Sequence, residues 1–315
     1  MHIIILTLKL YNMESYTTTA KTHSIGPTQF AIFRIILGFY LAWHFNSLIP
    51  YSPEIFGSNG VIPDPTMMPN WRIASVFLPV FKSDYHLKIF LGFLTIVSTM
   101  FAIGVYRRTC SAIMLYGWIF LFNRNIFIAN PGIPYVGWLL LISIIIPNGE
   151  NYCLQIQKES DKKNWHVNII ITWAAIIIMM GGYTFSGIHK LQCQSWLDGS
   201  ALRHILSGLL ARDNFLVDFL LNSPEIVLQV ATWMSLFAEI SSLFIGIAYH
   251  TRKWYWLFFM SMHIGVICLV NFMDLTLGVM MIHIFTFETR WLDEFPFNLM
   301  KKFNADKQSN RNKRR

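Results

Sequence analysis

Long apolar runs, broken by short polar or basic clusters, set the rhythm of this chain. The first is Phe30–Ile49, FAIFRIILGFYLAWHFNSLI. It has about the 20 residues needed to cross a hydrocarbon core of roughly 30 Å. Further runs follow at Tyr85–Val105, Cys110–Ala129, Ile133–Pro147, Trp165–Thr184, Ile226–Tyr249, Trp254–Phe272 and Leu275–Phe287. The pattern predicts an all-α, polytopic membrane helix bundle of about eight transmembrane helices, with the fourth and eighth runs short. Arg34 lies one turn inside the first run and is expected to snorkel to the bilayer surface. Pro50, Pro53, Pro63 and Pro65 hold a polar loop to about Asp84, in which Val61–Pro65 and Trp71–Phe81 read as interfacial. Between the fifth and sixth runs the chain is polar from Ser186 to Pro224. There Leu202, Ile205, Leu206, Leu209 and Leu210 recur at helical spacing, so Gly199–Leu221 reads as one interfacial amphipathic helix or two.

Composition supports the membrane reading. Of 315 residues, 54% are hydrophobic and only 13% charged, against about 25% charged in soluble domains, and the mean hydropathy is +0.44. The net charge of +8 does not point to nucleic acid, because the basic residues sit in clusters between apolar runs and in the tail. They do orient the chain. With eight spans and a cytoplasmic N-terminus, 17 lysines and arginines fall inside and seven outside, as the positive-inside rule requires. Both termini are then cytoplasmic, in a cell membrane crossed many times. The expected divisions are a cytoplasmic segment at 1–29, a transmembrane domain at 30–289 and a basic cytoplasmic tail at 290–315. Asn130–Tyr135, Lys190–Asp198 and Asn271–Asp274 share the non-cytoplasmic side, which predicts one cavity there. The interfacial helices belong to the same side. Four cysteines, without C-x-x-C spacing, imply neither a zinc site nor a disulfide framework.

The candidate chemistry gathers around Gly182–Gly199, GYTFSGIHKLQCQSWLDG. His189, Lys190 and Asp198 appear where the fifth apolar run ends, followed by Arg203 and His204. A lysine in that position reads two ways. Its stem can lie in lipid with the ammonium in water, or a dry pocket can keep the amine neutral and able to take a proton. Glu239 is a carboxylate within the sixth run and should face the protein interior. Thr232, Ser241 and Ser242 are its nearest partners along the chain. His263 and His283 read as neutral hydrogen-bonding groups. His44 and Asn46 read as interfacial or interhelical hydrogen bonders. No H-E-x-x-H, G-x-S-x-G, Walker or G-x-G-x-x-G motif occurs, and no metal is expected.

These residues carry a family resemblance. The chain resembles the HTTM family, the membrane domain shared with vitamin K-dependent gamma-glutamyl carboxylase, over about Phe30 to Phe287. The first run, with Arg34 inside it, is similar to the family's opening helix. Tyr183, Gly187, Lys190, Leu191, Trp196 and Gly199 match the family's Y-x-x-x-G-x-x-K-L-x-x-x-x-W-x-x-G. Met262-His263, followed by Phe272 to Met281, resembles its F-H segment and the apolar run after it.

The resemblance implies an enzyme that couples oxygenation (epoxidation) of a reduced vitamin K or menaquinol-type quinol by O2 to addition of CO2 to an acceptor. It implies Lys190 and His263 as catalytic residues, Lys190 being the base. Tyr135, Tyr183, His189, Trp196 and Glu239 would line the substrate and quinol pocket. The implied partners are the lipid bilayer, the quinol and a peptide or small-molecule acceptor. Two departures stand out. The carboxylase has a histidine before the tyrosine ahead of its fourth span, whereas this loop reads Asn-Pro-Gly-Ile-Pro up to Tyr135. The large lumenal region of the carboxylase, which helps to hold its peptide, is replaced by a short basic tail. The second reading is a non-carboxylating membrane protein for maturation, export or immunity of a small peptide. A transporter gains no support, since no internal repeat is visible.

Overall fold

Helix α1 (Pro27–Leu48) begins on a proline, whose missing N–H has no intrahelical partner to lose in the first turn. Its two faces separate cleanly. Phe30, Phe33, Leu37, Leu41 and Phe45 are buried, while Ile32, Ile36, Phe39 and Trp43 form an exposed apolar stripe. An outward stripe of that kind is stable against lipid and costly in water.

The computed structural model describes residues 25–68, 83–156 and 165–294. After α1 come α2 (Ser52–Phe56), α3 (Asp84–Ala102), α4 (Arg107–Arg124), α5 (Gly132–Ile145) and α6 (Ile169–Lys190). Three short helices follow: α7 (Gln194–Leu197), α8 (Ala201–Leu206) and α9 (Phe215–Leu221). The chain continues with α10 (Glu225–Ser241), α11 (Tyr249–Leu269), α12 (Met273–Thr286) and α13 (Trp291–Glu294). Among the described residues there is no strand, only an isolated bridge between Ala211 and Val270. Four segments are long and apolar enough to cross a membrane: α1, α3, α6 and Glu225–Gly246. The last of these is α10 prolonged by a π-helical turn, Ser242–Gly246. The protein is therefore a helical membrane protein. α5 and α12 are apolar but only 14 residues each, about 21 Å of helix.

α1 packs along α3. A Cβ on Gly38 would lie 2.6–2.8 Å from Ala102, so the two backbones meet there. α5 lies between α4 and α12, and α6 lies against α10 and α12. One aromatic and aliphatic core, from Ile25 to Phe285, joins these helices. A second, small one holds Leu206, Val217 and Leu228.

Several expectations are corrected here. Arg34 does not snorkel; it is wholly buried. The loop after α5 folds over it, so that Arg34 Nη2 donates to Tyr152 O at 2.7 Å and Nη1 to Phe101 O at 3.3 Å. Glu150, also buried, lies 2.7 Å from Arg107 Nε and 3.9 Å from Arg34 Nε. Arg107 further donates to the carbonyls of Ser143, Ile146 and Pro147. A guanidinium has five donors, which suits it to closing helix ends and loops together. Of the one or two helices expected in Gly199–Leu221, the structure has two, α8 and α9. Asn214 caps a new helix by accepting from Leu216 N and Val217 N, and Leu209 and Leu210 fall in the exposed turn between α8 and α9. Trp71–Phe81, residues 1–24 of the N-terminal segment and residues 295–315 of the tail lie outside the described residues.

Candidate functional site

Lys190 is the last residue of α6, so the helix runs on into the segment that reads as polar from Ser186. Its Nζ lies 2.5 Å from Glu239 Oε1 and 4.1 Å from the centre of the Trp196 ring. The lysine side chain is 25% exposed and that of Glu239 only 3%. Glu239 stands beyond the middle of the apolar stretch Glu225–Gly246. The hydroxyls expected to serve it are engaged elsewhere: Thr232 with Leu228 O, Ser241 with Phe237 O and Tyr255, Ser242 with Met180 O and Thr184. A hydroxyl on the same helix bonds to the carbonyl one turn back more readily than to a neighbouring side chain. Glu239 Oε2 is buried and has no partner.

Gly187 makes this pair possible. A Cβ there would sit 2.8 Å from Ile240 N and 3.0 Å from Glu239 Cβ. The glycine lets α6 and α10 touch one turn before Lys190. Gly187→Ala should destabilise the fold by about 1–3 kcal/mol, the usual cost of overpacking a core. A lowered melting temperature in detergent is the expected reading; an unchanged one would mean that the helices part freely. Gly199 adopts φ +84°, a region that suits glycine. It turns the chain between α7 and α8, while Trp233 Nε1 donates to Leu197 O at 3.1 Å and holds α7 against α10. That places Trp196 over Lys190. Ser200 donates its hydroxyl and its N–H to Asp198 in the same turn, which holds that exposed carboxyl below the usual range.

Two turns before Lys190, on the same face of α6, Tyr183 is buried. Its hydroxyl lies 2.6 Å from His263 Nε2 and 2.6 Å from His283 Nε2. The hydroxyl has one proton, so it donates to one histidine and accepts from the other. When both rings are neutral, the two histidines therefore hold opposite tautomers. Phe259 stacks on the Tyr183 ring at 3.6 Å. Tyr135 approaches from α5: a methyl group on Gly182 would collide with its hydroxyl. Lys190 and His263, and Glu239 and both tyrosines, lie within electrostatic reach of one another.

The structure thus gathers Lys190, Glu239, Trp196, Tyr183, Tyr135 and His263, and adds His283. His189 does not join them. It is exposed and packs edge-on against Phe185 at 4.3 Å, because neighbouring helical residues point about 100° apart. Asn130 also leaves the group, donating instead to Asp274 Oδ2 at 3.0 Å. Of the segments expected to share one outer cavity, Asn130 and Asp274 meet each other, while Tyr135 joins the Lys190 side of the bundle at Gly182. Gly132, in the first turn of α5, packs against Leu275 and Gly278 of α12, whereas Tyr135 faces Gly182 of α6. The link from Tyr183 to His283 has no sequence signal, since a hydrogen bond across 100 positions leaves no periodicity. Among the described residues no three His, Cys, Asp or Glu come close enough to hold a metal ion.

No protein-family model matches the chain, and no curated protein or solved structure matches it. The functional reading accordingly rests on the geometry above and on the motif resemblance.

Proposed function

We propose that the protein is an HTTM-family, carboxylase-like membrane enzyme in which Lys190 and Glu239 accept a proton from a quinol-type substrate. The observation that carries this reading is the Lys190–Glu239 pair, buried on the carboxylate side and left with an unpartnered oxygen. A lysine serving only as an anchor needs no buried carboxylate, and burying a charge is expensive. A proton passed from Nζ to Glu239 leaves a neutral amine, the form that can act as a base.

The neighbouring residues fit a flat, hydroxylated ring. The Trp196 ring presents an aromatic surface, Glu239 Oε2 lacks a hydrogen-bond donor, and the Tyr135 hydroxyl stands beside Gly182. A bound quinol, with O2 and CO2, would supply the reducing power and the strong base that removes a proton from the acceptor carbon. Glu239 orients the lysine, Trp196 shields it from water, and Tyr183 is fixed beneath it by His263 and His283. Incubating the purified protein with menaquinol, O2 and labelled bicarbonate tests the reading. Quinol consumption that depends on Lys190 is expected; equal consumption by a Lys190→Ala protein would end it.

The eight-span arrangement belongs to the same proposal, with α4, α5, α11 and α12 completing the four long apolar helices. Both termini are then cytoplasmic and Lys190 opens to the other side. α7, α8 and α9 lie at that interface, where Leu209, Leu210, Phe215 and Phe219 are exposed. A membrane-impermeant maleimide should label the exposed Cys193 from the non-cytoplasmic side. Cys153, after α5, should stay unlabelled at neutral pH. Burial, and then the charge of Glu150, push its thiol up to about 11, and only the thiolate reacts. Labelling of Cys193 from the cytoplasmic side alone would reverse the topology.

A further inference from the structure

Away from the Lys190 cluster, Asp274 opens α12 and collects three donors. Tyr40 Oη donates to its Oδ1 at 2.9 Å, His44 Nδ1 lies 2.7 Å from the same oxygen, and Asn130 Nδ2 donates to Oδ2 at 3.0 Å. The carboxylate is thereby fixed in place, and it in turn fixes the His44 ring. In the neutral ring, with Nδ1–H given to Asp274, His44 Nε2 carries a lone pair. That atom is buried and has no partner, in a side chain 7% exposed. Four aromatic rings surround the His44 ring, among them Phe45 at 5.6 Å and Tyr40 at 6.1 Å. Trp118 lies 4.9 Å from the His44 ring and Phe122 6.2 Å from it, and the two pack edge to face at 4.7 Å. The Trp118 indole is itself held by its bond to Ile133 O. No lysine or arginine pairs with Asp274 among the described residues, and its side chain, 29% exposed, reaches the surface beside the buried His44.

Two features are unspent here, a lone pair at Nε2 and the negative charge of Asp274, beside the rings of Trp118 and Phe122. A neutral hydroxyl would satisfy only the first. A quaternary ammonium would satisfy the charge and the rings but has no hydrogen to give. The geometry points to a site for a primary ammonium, which donates N–H to His44 Nε2, balances Asp274 and lies against the aromatic faces. The ammonium can belong to a soluble amine or to an ethanolamine lipid headgroup at the membrane surface. The site is distinct from Lys190 and does not depend on its role.

Ethanolamine and choline, added to the full chain in detergent, are the first probes. A saturable change in tryptophan fluorescence is expected with ethanolamine and not with choline, and it should vanish in Trp118→Phe. Asp274→Asn should weaken the response about tenfold or more, the range of hydrogen bonds to charged groups. His44→Gln still donates to Asp274 but lacks the second ring nitrogen, so it should lose the response even if Asp274→Asn fails to fold. A second arm compares nanodiscs of phosphatidylethanolamine and phosphatidylcholine. A higher melting temperature in the former, lost in His44→Gln, assigns the ammonium to lipid. Equal responses to ethanolamine and choline would overturn the site, as would no response in either arm from a folded protein.

Discussion

Lys190→Arg is expected to abolish turnover while leaving the fold intact. Arginine keeps the positive charge, the long stem and the donors that face Glu239 Oε1 and Trp196. It cannot give up a proton at neutral pH, so it cannot serve as a base. General-base catalysis contributes about 10²–10⁴-fold, and a loss of that size in quinol consumption should accompany a nearly unchanged melting temperature. Lys190→Ala should lose activity as well, and stability too, because Glu239 would remain buried without its cation. An added primary alkylamine should restore part of the activity of the alanine protein by entering the vacated space, and none in the arginine protein. Near-normal turnover by Lys190→Arg would leave Lys190 as a charge partner for Glu239. The maturation or immunity reading would then be the stronger one.

The largest loss of stability is expected elsewhere, at Glu150. Its carboxylate lies between Arg107 and Arg34, and all three residues are at most 3% exposed. Glu150→Ala removes the only acidic group facing the two guanidiniums in the described structure. Breaking a buried pair by removing one partner costs about 3–5 kcal/mol, because an uncompensated charge stays in a low-dielectric interior. The protein should melt far below the parent in detergent, or fail to accumulate. Replacing a guanidinium as well, in Glu150→Ala with Arg107→Met, should recover part of the loss, since fewer buried charges then lack a partner. Unchanged melting of Glu150→Ala would show that water reaches the arginines and that the loop after α5 does not seal them.

How much of this was legible in the chain depends on the range of the interaction. Two apolar runs mark out their helices to within three residues, Phe30–Ile49 against α1 at Pro27–Leu48 and Tyr85–Val105 against α3 at Asp84–Ala102, whereas α6 at Ile169–Lys190 runs past Trp165–Thr184 to reach Lys190. Lipid selects for a continuous apolar surface one helix long, and that is a local property. The motif around Lys190 was equally local, and its glycine and tryptophan do act within a turn or two of the lysine. Tertiary structure decided the partners. Glu239 takes Lys190 across 49 positions, Tyr183 takes His283 across 100, and His44 takes Asp274 across 230. It also decided that Arg34 is buried rather than snorkelling, and that His189 turns away while its neighbour Lys190 turns inward. A buried polar group must find its complement wherever the packed helices present one. The chain alone therefore determines which polar residues must be satisfied, and only the packing of α5, α6, α10 and α12 determines by which others.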